Sequence, residues 1–189
     1  MKKDVLTADE GKLALKIVRE NILSILNDET YNCEYVLPDV FNEKLGVFVT
    51  LNKNNSLRGC IGYPEPYEKL IDALLDVSLA AAFDDPRFNP LTKDEYPDIE
   101  VEISVLTKPQ RIIVDNYEEY LSKIELGVDG LIIEKGYNRG LFLPQVATEQ
   151  NWNIEEYLTN LCYKAGLPSD SWMDDDCVLY NFQAQIINE

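Results

Sequence analysis

Histidine is missing from all 189 residues of this chain. That absence excludes Ser-His-Asp and Cys-His catalysis, HExxH zinc sites and imidazole-bound iron. A general base must then be a carboxylate, lysine, tyrosine, a thiolate or a group on the substrate. Positive charge is scarce too: 17 Lys and Arg stand against 34 Asp and Glu, a net charge of -17. Phosphate backbones and anionic membrane surfaces both need clustered cations, so neither nucleic acid nor membrane is an expected partner. The longest apolar stretches, such as the one around Leu79 to Phe83, fall far short of the ~18 residues of a membrane span. The opening "MKKDVLTADEGK" has a basic start but no apolar run behind it, so no secretory signal is expected. Cys33, Cys60, Cys162 and Cys177 lie at wide, irregular spacings without a CxxC pair. Neither a zinc ribbon nor a thioredoxin-type site is indicated, and free thiols in a reducing cytoplasm are expected. The glycines of "GYNRG" lack the strand-to-helix setting of a dinucleotide loop, and no cofactor or metal site is expected.

What is present reads as a soluble globular chain, 46% apolar and 27% charged. Its length suits one sizeable core, or one core with a smaller lobe. Thr7 and Glu10 form a capping box before a helix over about 8–27, with Ala14, Val18, Ile22, Ile25 and Leu26 on one face. Further helices are expected at about 67–83 and, capped by Asn153 and Glu156, at about 153–165. A short helix should begin at Asn116, and Thr92 with Glu95 should cap a turn. Period-two patterning marks strands at about 46–51, 57–62, 99–106, 130–135, 139–143 and 178–187. Helices and strands mix without a βαβ rhythm, so the expected class is α+β with a largely antiparallel sheet.

The stretch "LRGCIGYPEP", residues 57–66, stands out. An ordinary half-buried strand needs neither Gly59 nor Gly62. As a strand it would turn Leu57, Gly59 and Ile61 to the core and Arg58, Cys60 and Gly62 to the opposite face. A guanidinium beside a thiol raises its thiolate fraction, and the same group can grip a carboxylate or phosphate bidentately. Glycines on either side would clear room for a ligand. The competing account is a tightly packed corner with a buried thiol and an arginine paired to Asp or Glu. "DDPRF" (84–88) is open in the same way: Asp84 and Asp85 are turn chemistry with Arg87 paired to one of them, or two carboxylates that hold a metal or act as acid and base. Gln145 follows a proline, where it would either read a ligand or fix a loop. Trp152 and Trp172 are expected in packing roles.

Together "LRGCIG", "AAAFDDPRF", "EISVL", "GLFLPQVATEQNW" and "LCYKAGLP" resemble the AMMECR-one family, over about residues 6 to 187. The resemblance implies a single family domain over 1–189, built as two lobes with a cleft between them and the LRGCIG hexapeptide at that cleft. It makes Arg58 and Cys60 the candidate catalytic residues. Arg58, Gly59, Gly62, Asp85, Arg87 and Gln145 become the candidate binding residues. It also implies a Memo-type protein and a radical SAM enzyme as partners. Two classes of function stay open. One is an enzyme or enzyme subunit acting on a small anionic substrate, anchored by Arg58 with Cys60 as nucleophile or acid/base. The other is a non-catalytic adaptor that receives a peptide or partner loop.

Overall fold

A computed structural model describes residues 4–189. The chain forms two compact units, one of Asp4–Leu106 with Gln185–Glu189 and the other continuing from Thr107 to Ala184. The class is α+β, with two four-stranded sheets.

In the first unit, α1 (Ala8–Leu26) starts at the capping box its sequence announces. The Thr7 side chain accepts from the Glu10 N–H, and the Glu10 carboxylate accepts from the Thr7 N–H at 2.7 Å. Such a cap stabilises a helix by ~1 kcal/mol. β1 (Val47–Lys53) and β2 (Ser56–Tyr63) form a hairpin around Asn54–Asn55, both at positive φ. Asparagine tolerates that conformation, which a two-residue hairpin turn of the favoured hand requires. α2 (Leu70–Leu79) runs into a wider π-helical turn over Ala80–Asp84. β3 (Ile99–Leu106) alternates as expected, with Ile99, Val101, Ile103 and Val105 buried. The sheet order is β2-β1-β3-β8, where β8 is Ala184–Asn188, and β1 pairs antiparallel with both neighbours.

One face of this sheet carries Val47, Val49, Leu51, Val101 and Ile103 into a core shared with Ile17, Val18 and Ile22 of α1 and Leu74 and Val77 of α2. Each such side chain contributes roughly 1.5–3 kcal/mol by leaving water. Asn21 is the buried polar link between the helices, donating to the Leu75 carbonyl at 2.8 Å and to Ser78 Oγ at 2.9 Å. Its partners satisfy the amide, which burial would otherwise penalise.

In the second unit, β4 (Gln110–Arg111), β5 (Gly130–Lys135), β6 (Asn138–Phe142) and β7 (Val178–Phe182) form a sheet of order β4-β7-β5-β6, all antiparallel. Asn116 caps a short helical turn that continues as α3 (Tyr120–Lys123). α4 (Gln145–Glu149) is a single turn, and α5 (Ile154–Lys164) begins at the Asn153–Glu156 capping box. Leu131, Ile133, Tyr157, Leu161, Cys162, Trp172 and Leu179 form its core, with Trp152 packed on Phe142.

Three local expectations change. The helix expected over 67–83 begins at Leu70 and gives way to the π turn at Ala80. The strand expected over 178–187 is two strands in different sheets, β7 and β8. Between them the Gln183 N–H goes to Thr107 Oγ1 at 2.8 Å and its carbonyl accepts from the Thr107 N–H. Leu57 does not face the core but is 44% exposed.

Candidate functional site

A β-bulge explains Leu57 and sets the geometry of everything around it. Along the hairpin, Lys53 pairs with Ser56 and Asn52 with Leu57, but Leu51 pairs with Gly59 and Thr50 with Cys60. Arg58 is the extra residue. Past the bulge the alternation resets, so Gly59 and Ile61 lie opposite core-facing Leu51 and Val49, while Cys60 and Gly62 lie opposite Thr50 and Phe48. A bulge re-aims the side chain it carries, and here it sends Arg58 away from its neighbours' alternation. The guanidinium reaches Glu95 in a two-pronged contact, Nε to Oε1 at 3.3 Å and Nη2 to Oε2 at 3.1 Å, and also donates to the Asn89 carbonyl at 2.9 Å. Its side chain is 12% exposed, and its Nη1 is buried with no hydrogen-bond partner. Lys53 Nζ adds a second cation to Glu95 at 3.1 Å. The Arg58 hydrogen bonds come first, with Lys53 assisting, in holding the Glu95 carboxyl at a pKa of about 2.

Cys60 sits on β2 at the open edge of the sheet, where backbone groups would otherwise be unpaired. Asp85 and Arg87 complete that edge. The Cys60 N–H donates to Asp85 Oδ2 at 2.9 Å, and the Cys60 carbonyl accepts from Arg87 Nη2 at 3.0 Å. Asp85 also accepts from Arg87 Nε at 2.9 Å, Arg87 Nη2 at 2.7 Å and the Arg87 backbone N–H at 3.1 Å. The carboxylate is 3% exposed. Above all the Arg87 hydrogen bond, with the Cys60 and Arg87 N–H groups, holds its pKa far below the usual carboxylate range. The guanidinium pKa is raised in return, by Asp85 first and with a smaller contribution from the Cys60 side chain. Arg87 nevertheless keeps 53% of its side chain exposed. The Phe88 ring lies 5.9 Å from the Arg58 guanidinium and 5.6 Å from that of Arg87, close enough for cation–π attraction to both.

The thiol itself is half-buried, and Thr50 Oγ1 donates to its sulfur at 3.2 Å. Thr50 stands between Cys60 on one side and Glu102 on the other, so the three form one row across β2, β1 and β3. All four cysteines are free.

Both glycines have packing reasons. A Cβ at Gly59 would lie 2.1 Å from the Ala81 carbonyl oxygen, so the π turn after α2 approaches this strand through the space a side chain would fill. A Cβ at Gly62 would meet the Phe48 ring at 2.3 Å.

The first unit therefore gathers Arg58, Gly59, Cys60, Gly62, Asp85 and Arg87 around one strand. Gln145 belongs to the second unit, where it opens α4, exposed, its carbonyl accepting from Thr148 Oγ1 at 2.8 Å. The sequence reading did not single out Glu95 as the partner of Arg58, nor Thr50 as the donor to Cys60. An arginine on an acidic chain signals a carboxylate partner, though not which one. The hairpin turn alone would have paired Thr50 with Gly59, one residue out of register. Among the described residues no cluster of three Cys, Asp or Glu has metal-binding geometry, and no helix is long and apolar enough to cross a membrane.

The AMMECR1 family model matches residues 15–187. A protein of Methanothermobacter thermautotrophicus is 51% identical over 190 residues, covering 100% of this chain and 99% of its own length. Protein MJ0810 of Methanocaldococcus jannaschii is 49% identical over 187 residues, covering 98% of this chain and 92% of its own. The crystal structure of uncharacterized protein PH0010 from Pyrococcus horikoshii superposes with a TM-score of 0.80 at 41% identity, covering 98% of this chain and 94% of that one. Agreement in sequence and in backbone extends over essentially the whole length, and the chain belongs to the AMMECR1 family.

Proposed function

We propose that the first unit carries a site for a small anion at the exposed side of Arg87, beside the Cys60 thiol, and that the protein acts there as an enzyme or enzyme subunit. The observation that supports this reading is the state of Arg87. Its Nε and Nη2 are fixed by Asp85 and the Cys60 carbonyl, yet the side chain remains 53% exposed. A guanidinium held in place by a buried carboxylate loses little freedom when a carboxylate or phosphate docks on its open side. Arg87 then takes the anchoring role that the motif alone gives to Arg58, whose guanidinium is committed to Glu95. Cys60, its sulfur oriented by Thr50, is the group placed to act as nucleophile or acid/base. Gly59, Gly62, Arg58 and Asp85 hold the strand, and through it the thiol. A Memo-type protein and a radical SAM enzyme are the partners that complete the reading, on the strength of the family resemblance.

Thermal melts with added phosphate or succinate test the site. Either anion should raise the melting temperature of the parent protein and of Arg87→Lys, and leave that of Arg87→Gln unchanged. Equal shifts in all three proteins, or none in any, would remove the anion site. Co-expression with a tagged Memo-type protein and a radical SAM protein tests the partnership, which fails if the three elute separately.

A further inference from the structure

The second unit holds a cavity of about 360 Å³ that the Cys60 site does not use. Its walls come from the segment 111–117 that continues β4, from Tyr120, and from the loop 172–177 before β7. Tyr117 and Trp172 form part of the wall as an edge-to-face pair with ring centroids 5.8 Å apart. Trp172 is 2% exposed, and its indole N–H is a buried donor without a hydrogen-bond partner. Around the opening stand three large apolar side chains that the core does not take up: Ile113 at 77% exposure, Tyr117 at 41% and Met173 at 41%. The carboxylates of the lining are Asp115, Asp174 and Asp175; Asp174 is ion-paired with Lys135, Lys123 donates to the Ile113 carbonyl at the rim, and Arg111 is the guanidinium of the lining.

We propose that this cavity is the docking site for a segment of a partner polypeptide that inserts one apolar side chain and flanks it with lysine or arginine. The cavity is at the small end of ligand pockets, room for a side chain and its adjoining backbone. Tyrosine, tryptophan and methionine around a pocket are the residue types that anchor protein interfaces. The rim extends the apolar surface beyond what a small molecule inside the cavity would cover. Asp115 and Asp175, on a chain of net charge -17, select basic flanks and repel acidic ones. This site stands apart from Cys60 in residues and in unit, and does not depend on the anion reading.

Selection of random dodecapeptides displayed on phage against the whole protein tests the proposal. The synthetic consensus peptide, fluorescein-labelled, is then titrated by anisotropy. The enriched peptides should pair an apolar residue with Lys or Arg. Ile113→Glu should weaken binding at least tenfold, and the double variant Asp115→Asn/Asp175→Asn should weaken it several-fold and flatten its salt dependence. All three positions are exposed, so melting temperatures should stay close to the parent's. The proposal is overturned if no peptide is enriched, if the consensus lacks basic residues, or if Ile113→Glu binds the peptide as the parent does. It is also overturned if tetramethylammonium, a small organic cation, displaces the peptide at its own saturating concentration while Ile113→Glu has no effect.

Discussion

The Asp85 carboxylate takes the Cys60 backbone N–H at 2.9 Å, standing in for the neighbouring strand that β2 lacks on its outer side. Arg87 completes the imitation by donating to the Cys60 carbonyl. A five-residue loop thus closes a sheet edge, and the same ion pair leaves a guanidinium facing solvent beside the thiol.

Acid should reveal how much the fold depends on this pair. The folded-state pKa of Asp85 is depressed by Arg87 and by backbone N–H groups, and that of Glu95 is held at about 2, chiefly by Arg58. Unfolded carboxyls titrate at ~4. The stability both contribute is therefore fully present above about pH 5 and is lost as pH falls from ~4 through the folded values. Urea midpoints of the parent should be level between pH 7 and 5 and fall steeply below 4. Asp85→Asn should be less stable at pH 7 by about 3 kcal/mol, because it leaves buried N–H donors facing an amide. Its midpoint should also vary less between pH 4.5 and 3. An unchanged acid profile in that variant would mean that Asp85 is not the edge partner of Cys60.

Gly59→Ala should be among the most damaging small substitutions in the chain. The added methyl would stand 2.1 Å from the Ala81 carbonyl, a backbone group that can move only with the π turn after α2. Overpacking of this kind costs up to about 3 kcal/mol. A melting temperature within a degree of the parent's would show that helix and strand do not approach so closely.

How much of this was readable beforehand follows the range of the interactions. The Thr7–Glu10 and Asn153–Glu156 boxes, the Asn54–Asn55 turn and the alternation of Ile99 to Val105 are local, and the observed elements follow them. The bulge at Arg58 is set by what lies across the strand and beside it, namely Leu51, Glu95 and the π turn after α2. No local pattern marks it, and period two alone puts Leu57 on the wrong face. The break at Gln183 depends on Thr107, 76 residues away. The candidate residues around Cys60 were visible as an unusual motif. Their division into a strut, Arg58, and a half-exposed group, Arg87, required partners that only the fold brings near.

Arg58→Ala should act on folding rather than on binding. Its loss leaves Glu95 with Lys53 as its one cation, beside the Thr92 N–H and hydroxyl, and empties a site that is 12% exposed. Breaking such a pair costs about 3 kcal/mol. The variant should melt well below the parent, and phosphate or succinate should still raise its melting temperature. Parent-like stability with the anion effect abolished would return Arg58 to the binding role.

Thiol labelling followed by mass spectrometry should divide the four cysteines by burial. Cys162 is fully buried, and burial pushes the Cys177 thiol up to about 12. Both should react with iodoacetamide only on global unfolding, whereas half-buried Cys33 and Cys60 should react in the native protein. Labelling of Cys60 no faster than Cys162 would identify it as a structural thiol and favour the adaptor class of function.

The most direct test of the anion site beside Cys60 is the ratio of its alkylation rates with iodoacetate and iodoacetamide, normalised to the same ratio for free cysteine. The two reagents deliver similar groups and differ in charge. In a protein of net charge -17, long-range repulsion alone should push that ratio below one. If Arg87 receives a carboxylate next to the thiol, the normalised ratio at Cys60 should exceed one, fall several-fold in Arg87→Gln, and recover in Arg87→Lys. Succinate should protect Cys60 in the parent and not in Arg87→Gln. A normalised ratio below one that Arg87→Gln leaves unchanged would contradict the account.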